Sequence, residues 1–224
     1  MYQADIAIVG AGMVGLALAR SLKEADLSVI LIDTTPIAKP LSEQPELRVS
    51  AFNAANKQVL EQLGVWQHLD QQRLSAYTQM QVWDQDSFGR IQFSSEEMGT
   101  SELGHIIENQ SLVNALHHQV SQQPNVQMLP STYIAKVLTG QSETMLMLDS
   151  DEVVSCRLLV GADGANSAIR KYANFPLTFK DYGHTAIVAT IKTAAPHGKV
   201  ARQVFTPTGP LALLPLSDPN LCSI

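Results

Sequence analysis

Residues 5–33, DIAIVGAGMVGLALARSLKEADLSVILID, decide the fold. Ile6-Ala7-Ile8-Val9 is a short apolar run ending at a glycine, which predicts a strand covered on both faces. From Met13 to Ala25, the residues Val14, Leu18, Leu22 and Ala25 fall on one stripe, the period of a helix. Leu27 to Ile32 is a second buried strand, and it stops at Asp33. Strand, glycine turn, helix and strand form a βαβ unit whose crossover is right-handed.

The turn itself is Gly10-Ala11-Gly12-Met13-Val14-Gly15. A GxGxxG pattern alone is a weak signal. Here it follows a strand, opens a helix and precedes a strand that ends in an acid, which is the context a dinucleotide site needs. Gly10 permits the tight turn, Gly12 lets the backbone approach a pyrophosphate, and Gly15 lets the helix pack on the strands. The phosphate charge would rest on unpaired N–H groups at the helix N-terminus. Asp33 can accept hydrogen bonds from a ribose hydroxyl pair. Thr34 and Thr35 follow it rather than an arginine, so a free 2′-hydroxyl, as in FAD or NAD, is expected. The fingerprint does not separate FAD from NAD, and a glycine-rich turn with no ligand is its bland alternative.

Outward from this unit, 34–45 is a proline-bearing loop, and Ser50 to Leu63 is expected to be helical with Gly64 as its stop. Met80 to Phe93 predicts a hairpin, and Ile106-Ile107 a short strand. Ser111 can cap a helix running to about Gln122. Strands are expected at Val126–Leu129, Tyr133–Leu138, Thr144–Leu148, Val153–Leu159, Thr185–Ile191 and Ala201–Phe205. Leu158-Leu159-Val160 ends a buried strand at Gly161, and a short helix follows from about Asn166.

Two more segments invite a chemical reading. In Gly161-Ala162-Asp163-Gly164-Ala165-Asn166-Ser167, Asp163 could accept from a ligand's hydroxyls or merely from turn N–H groups, with Asn166 or Ser167 as a helix cap. In Leu47-Arg48-Val49-Ser50, Arg48 is expected just before a helix, where a cation opposes the helix dipole. A phosphate or flavin edge would account for it, as would simple surface placement. The adjacent His117 and His118 read as surface residues, and Trp66 and Trp83 as packing residues. No histidine or cysteine spacing suggests a metal site, and neither GxSxG nor GxxxxGK[ST] occurs.

Composition closes off several classes. Hydrophobic residues are 45% and charged residues 16% of 224, which places the chain among folded globular proteins rather than disordered ones. The formal net charge of −6 and the lack of any lysine–arginine run argue against a nucleic-acid partner. No apolar run approaches the roughly 20 residues of a membrane span, and no basic region precedes the first apolar run as in a signal peptide. Two distant cysteines, Cys156 and Cys222, suit a reducing cytoplasm and no disulfide scaffold.

Taken together, RVSAFN after the first βαβ, HIIENQSL before a helix and GADGANSAIR resemble the aromatic flavoprotein monooxygenases of the p-hydroxybenzoate hydroxylase type. VWDQDSFGRI, ATIKTAAPH, ARQVF and LPLSDPNLCSI are similar to the ubiquinone-biosynthesis hydroxylases within that group. The resemblance implies FAD, with NAD(P)H as reductant. Gly10, Gly12 and Gly15 would hold the pyrophosphate and Asp33 the adenosine ribose. Arg48 would lie against the flavin nucleotide and Gln110 near the cofactor. Val137 would fall near the adenine-contacting strand, and Asp163 would serve both FAD and NAD(P)H. It further implies hydroxylation of a polyprenylphenol ring with O₂ through a flavin C4a-hydroperoxide, no covalent protein catalyst, and peripheral contact with the inner face of a membrane. Other ubiquinone-biosynthesis proteins are implied as partners. An FAD/NAD-dependent dehydrogenase without oxygen chemistry and a non-catalytic scaffold subunit are the alternative functions.

The expected fold class is α/β: a Rossmann-like, three-layer FAD-binding domain at 1–75 and 97–180, with an incomplete antiparallel-sheet substrate domain at 76–96 and 181–224. The apolar end, including Leu213, Leu214 and Leu216, reads as that of a fragment. A later GD segment of the family, which closes over the flavin, lies beyond it. Such a fragment is expected to hold FAD weakly and to self-associate through those leucines.

Overall fold

The computed structural model describes residues 1–224. In chain order come β1 (Tyr2–Val9), α1 (Met13–Ser21), β2 (Val29–Ile32), β3 (Val49–Asn53), α2 (Ala54–Gln62) and a 3-10 turn at Trp66–His68. Next are β4 (Ser75–Tyr77), β5 (Gln79–Asp84), β6 (Arg90–Ser94), β7 (Gly104–Glu108) and α3 (Asn109–Val120). They are followed by β8 (Val126–Leu129), β9 (Ile134–Thr139), β10 (Thr144–Leu148), β11 (Val153–Gly161) and α4 (Ala168–Tyr172). The chain closes with β12 (Thr190–Lys192), β13 (Val200–Thr206), β14 (Gly209–Pro215) and β15 (Leu221–Ser223).

These elements form two compact units, each assembled from two separate stretches. Unit 1 is Met1–Pro40 with Val113–Phe179, and unit 2 is Leu41–Leu112 with Lys180–Ile224. Compactness therefore draws its boundary elsewhere than the functional division expected from sequence. Residues 41–75 and 97–112 pack within unit 2, because β3, β7 and β4 pair into one antiparallel sheet.

Unit 1 is an α/β unit around a six-stranded mixed sheet of order β8-β2-β1-β11-β10-β9. The first four strands are parallel, and β10 and β9 continue antiparallel. The apolar runs go where their lack of alternation requires: all four residues of β2 are buried, as are Ile6 to Val9 of β1. Ala7, Ile30, Ile32, Leu146 and Val154 share one cluster, with Val137 packed against it. At roughly 1.5–3 kcal/mol for each large aliphatic side chain removed from water, this cluster fixes the register of the strands. That register matters for function, because Val9 lies opposite Gly161 and so sets the two glycine turns side by side.

Unit 2 carries a second six-stranded sheet, β12-β15-β14-β13-β5-β6, mostly antiparallel, and the small β3-β7-β4 sheet. Tyr77, Ile106, Ala201 and Leu216 form its core cluster.

Several local expectations are corrected. Residues 49–53 are not helical: they pair with β7, and the helix begins only after Asn53, whose side chain accepts from the Asn56 N–H as an N-cap. Arg48 thus precedes a strand, and the helix-dipole argument for it falls away. Helix α1 stops at Ser21 rather than Ala25. Ser111 lies inside α3 rather than at its cap. Of the strand expected at 185–191 only the last three residues are paired: Thr190 and Ile191 begin β12, and Ala189 exchanges backbone hydrogen bonds with Ile224. Leu216 is buried, and Leu213 and Leu214 are half-buried within β14 between β13 and β15, so these leucines are not an exposed patch. His117, expected at the surface, is half-buried, and burial lowers its pKa.

Candidate functional site

At the C-terminal ends of the parallel strands of unit 1 lies a cleft of about 400 Å³. Its walls are Val9, Gly10 and Gly12 from the first turn, Ile32, Asp33 and Thr34 after β2, Thr132, Tyr133 and Ile134 at the start of β9, and Ala162, Asp163, Gly164 and Ala168. Ligands of open α/β sheets bind outside the carboxyl ends of the strands for this topological reason.

The three glycines of the first turn are required for different reasons. Gly10 has φ +103°, and a Cβ there would run into the Ala162 carbonyl of the neighbouring turn. A Cβ on Gly15 would strike the carbonyl of Gly10, so the missing side chain lets α1 sit tightly on the turn. Gly12 differs from both. Its backbone is extended at φ −75°, ψ −173°, and a Cβ there would meet nothing within 4 Å. Nothing inside the chain demands a glycine at 12. Gly12 also serves as the N-cap of α1 without offering a side-chain acceptor. The first-turn N–H groups of the helix, next in sequence to the cleft-lining Gly12, therefore have neither intrahelical acceptors nor a side-chain cap. A glycine that is open on the cleft side, at a helix N-terminus, fits a pyrophosphate.

Asp33 has a structural duty that its spacing did not reveal. Its Oδ2 accepts from the Ala11 N–H at 2.7 Å, and its Oδ1 accepts from the Thr35 N–H at 2.8 Å and hydroxyl at 3.0 Å. The acid thus ties the glycine turn to the end of β2. Oδ1 is filled by its two donors, while Oδ2, with one, keeps acceptor capacity for a ribose hydroxyl. The Thr132 N–H donates to the Asp33 carbonyl, which brings Thr132 and Tyr133 to the rim. No motif in the sequence marked those two residues.

Asp163 works differently. Its Oδ1 accepts from the Ser167 hydroxyl at 2.5 Å, and its Oδ2 accepts from the N–H groups of Ala168 at 2.6 Å and Ile169 at 3.2 Å. Ser167 in turn accepts from the Arg170 N–H. The turn-and-cap reading is realised in full, and the same turn borders the cleft through Asp163 and Gly164.

Of the expected site residues, Gly10, Gly12, Asp33 and Asp163 line one cleft, with Gly15 directly behind its turn. Val137 on β9 packs on the core, while Ile134 of the same strand lines the cleft. Arg48 and Gln110 belong to unit 2. Arg48 is exposed, its carbonyl accepting from the Asn109 N–H, and Gln110 lies in the first turn of α3. No group of three or more His, Cys, Asp or Glu side chains could hold a metal ion. No helix is long and apolar enough to cross a membrane.

Residues 3–216 match the FAD binding domain family. The chain belongs to that family. Among its relatives, it is 34% identical over 226 residues to the mitochondrial ubiquinone biosynthesis monooxygenase COQ6 of Drosophila melanogaster, covering 96% of this chain and 47% of that protein. It is 33% identical over 216 residues to the 3-demethoxyubiquinol 3-hydroxylase of Escherichia coli (strain K12), covering 96% and 55%. The chain thus spans about half the length of the curated relatives it matches. In fold it is similar to P. aeruginosa PqsL in complex with 2-aminobenzoylacetate, with TM-score 0.81 and 18% identity over 99% of this chain and 60% of that one. For an FAD-binding family member, the cleft of unit 1 is the part whose residues fit the nucleotide.

Proposed function

We propose that this protein acts as an FAD-dependent monooxygenase that hydroxylates the aromatic ring of a polyprenylphenol in ubiquinone biosynthesis, with NAD(P)H as reductant and O₂ as co-substrate. The observation that carries the cofactor half of this reading is Gly12: open on the cleft side and demanded by no contact within the chain. The substrate half rests on two relatives named for ubiquinone-pathway oxygenation, each aligned over 96% of this chain. Bound FAD supplies the redox chemistry that activates oxygen.

The chain's own residues bind and orient. Gly12 and the first-turn N–H groups of α1 take the pyrophosphate. Asp33 takes the adenosine ribose while holding the Ala11 N–H, so the acid both shapes and fills the site. Thr132 and Tyr133 wall the adenosine end. Asp163 holds the Gly164–Ser167 turn at the rim, where it would act for FAD and the reductant. Arg48 and Gln110 keep the cofactor roles that the resemblance implies, and Val137 backs the strand that carries Ile134. Residues 1–75 and 97–180 then carry the FAD function, and 76–96 and 181–224 the substrate function. No side chain is assigned as a covalent catalyst.

Cells lacking the full-length protein are expected to accumulate a polyprenylphenol short of one hydroxyl group. Lipid extraction and mass spectrometry read this directly. Normal ubiquinone with no phenolic intermediate, in cells with no second hydroxylase for that step, would overturn the reading.

A further inference from the structure

Unit 2 holds a cleft of about 780 Å³, larger than the nucleotide cleft. One wall is the loop Ser42–Leu47, and the other comes from Val188 to Thr190 and Leu221. The Thr190 hydroxyl in that second wall is buried and makes no hydrogen bond. The loop has no secondary structure of its own, yet it is pinned at every second residue. The Arg73 guanidinium donates to the carbonyl of Ser42 at 2.7 Å and of Gln44 at 3.1 Å. The Glu46 N–H donates to Glu108 Oε2 at 3.2 Å. The Asn109 N–H donates to the Arg48 carbonyl at 2.9 Å, where the β3–β7 ladder begins with Val49 opposite Glu108.

Positions 42, 44, 46 and 48 therefore present successive backbone groups to one side, as a strand edge does. Strand β7 ends at Glu108, so no backbone continues the ladder. Two side chains continue it instead. They are held to each other by Arg73 Nη2 to Glu108 Oε2 at 2.5 Å and Nε to Oε1 at 3.2 Å. The pair is well buried, with side-chain exposures of 16% and 6%. A buried ion pair is weak as a source of stability, and apolar replacements of both partners are often tolerated. Its presence here needs another reason, and its geometry supplies one.

We infer that Arg73 and Glu108 are positioning residues that extend the β3–β7 ladder through their side chains and so fix the Ser42–Leu47 wall of the unit 2 cleft as a ligand-contacting surface. Within the function proposed above, on which this part rests, the ligand is the polyprenylphenol. Lysine in place of Arg73 would keep the charge but lack the planar fork that reaches two carbonyls and a carboxylate together.

The test uses the full-length protein loaded with FAD, in three forms: wild type, Arg73→Lys, and the apolar double variant Arg73→Met/Glu108→Leu. Glu-C protease, which cuts after glutamate, reports the loop through Glu43 and Glu46 without reference to activity. Both variants are expected to be cut there at least tenfold faster than wild type, while retaining stoichiometric FAD. With 2-geranylphenol as the probe, KM is expected to rise about tenfold with kcat within about threefold, the pattern of lost ground-state positioning. The double variant keeps this test decisive if Arg73→Lys folds poorly, since a purely structural pair predicts wild-type cutting and KM once both charges are gone. Unchanged cutting in a folded double variant would overturn the clamp. Faster cutting with unchanged KM would overturn the wall as a ligand surface. A wild-type enzyme that hydroxylates no polyprenylphenol would overturn the functional reading instead, leaving the clamp to be decided by the protease alone.

Discussion

The two turns that meet at the head of the unit 1 sheet are built from similar materials to opposite ends. Each follows a parallel strand, contains glycines and precedes a helix, and each has an acid bound to its backbone. In the turn after β11, the acid is spent internally: Asp163 accepts three hydrogen bonds from the start of α4. In the turn after β1, Asp33 also accepts three, but only one comes from the glycine turn, the Ala11 N–H, the other two being from Thr35, and Gly12 is left facing open space. Gly164 in the β11 turn also has open space around it, but its φ of +83° accounts for the glycine, whereas the extended backbone of Gly12 does not. A glycine that internal packing explains points to folding, whereas a glycine it does not explain points to a ligand.

The comparison can be broken by substitution. Gly15→Ala should have the largest effect, because its Cβ meets backbone rather than a movable side chain. A loss of about 2–3 kcal/mol is expected, seen as roughly 5–10 °C in the melting temperature. An unshifted melting curve would show that the turn is looser than its packing implies.

Asp33→Ala should come next and should act on the cofactor. FAD affinity is expected to fall by about 1–3 kcal/mol, the range for hydrogen bonds to a charged group. Titration of the apoprotein with FAD measures it, and equal affinities for mutant and wild type would remove Asp33 from the ribose.

Asp163→Ala should show the reverse balance. Loss of the helix cap is expected to cost about 1–2 kcal/mol of stability by denaturant unfolding, with a smaller loss of FAD affinity. A larger loss of FAD than of stability would erase the distinction between the two turns.

Gly12→Ala sharpens the comparison most while disturbing the fold least. Stability should fall by about 0.5–1 kcal/mol, since only the N-cap preference changes. FAD affinity should fall about tenfold, or 1.4 kcal/mol. A variant with wild-type affinity would mean that the open space at Gly12 is not where the pyrophosphate sits.

How much of this was legible follows from how far apart the partners lie. The βαβ unit and the β5–β6 hairpin could be read because strand, turn and return fall within about thirty residues. The strand Val49–Asn53 could not, because its partner β7 lies some fifty residues on, and that pairing overrides the helical pattern of its apolar residues. Asn53 was the local signal that a helix began later. In the site, the glycines and Asp33 were visible from their spacing. The bond from Ala11 to Asp33, the rim residues Thr132 and Tyr133, and the Arg73–Glu108 clamp were not. Each depends on segments brought together only by the finished sheets.

The placement of β1 beside β11 also bears on how the chain is made. Tyr2 pairs with Val154, so one edge of the first strand has no partner until more than 150 further residues have been added. At about 5–20 residues per second of synthesis, that is a wait of roughly 10–30 s. During that time an apolar strand carries an open row of N–H and C=O groups on a nascent chain, the kind of edge that recruits other chains. Ribosome-associated chaperones would therefore matter most to the yield of this protein in that interval, before β11 emerges to close the sheet.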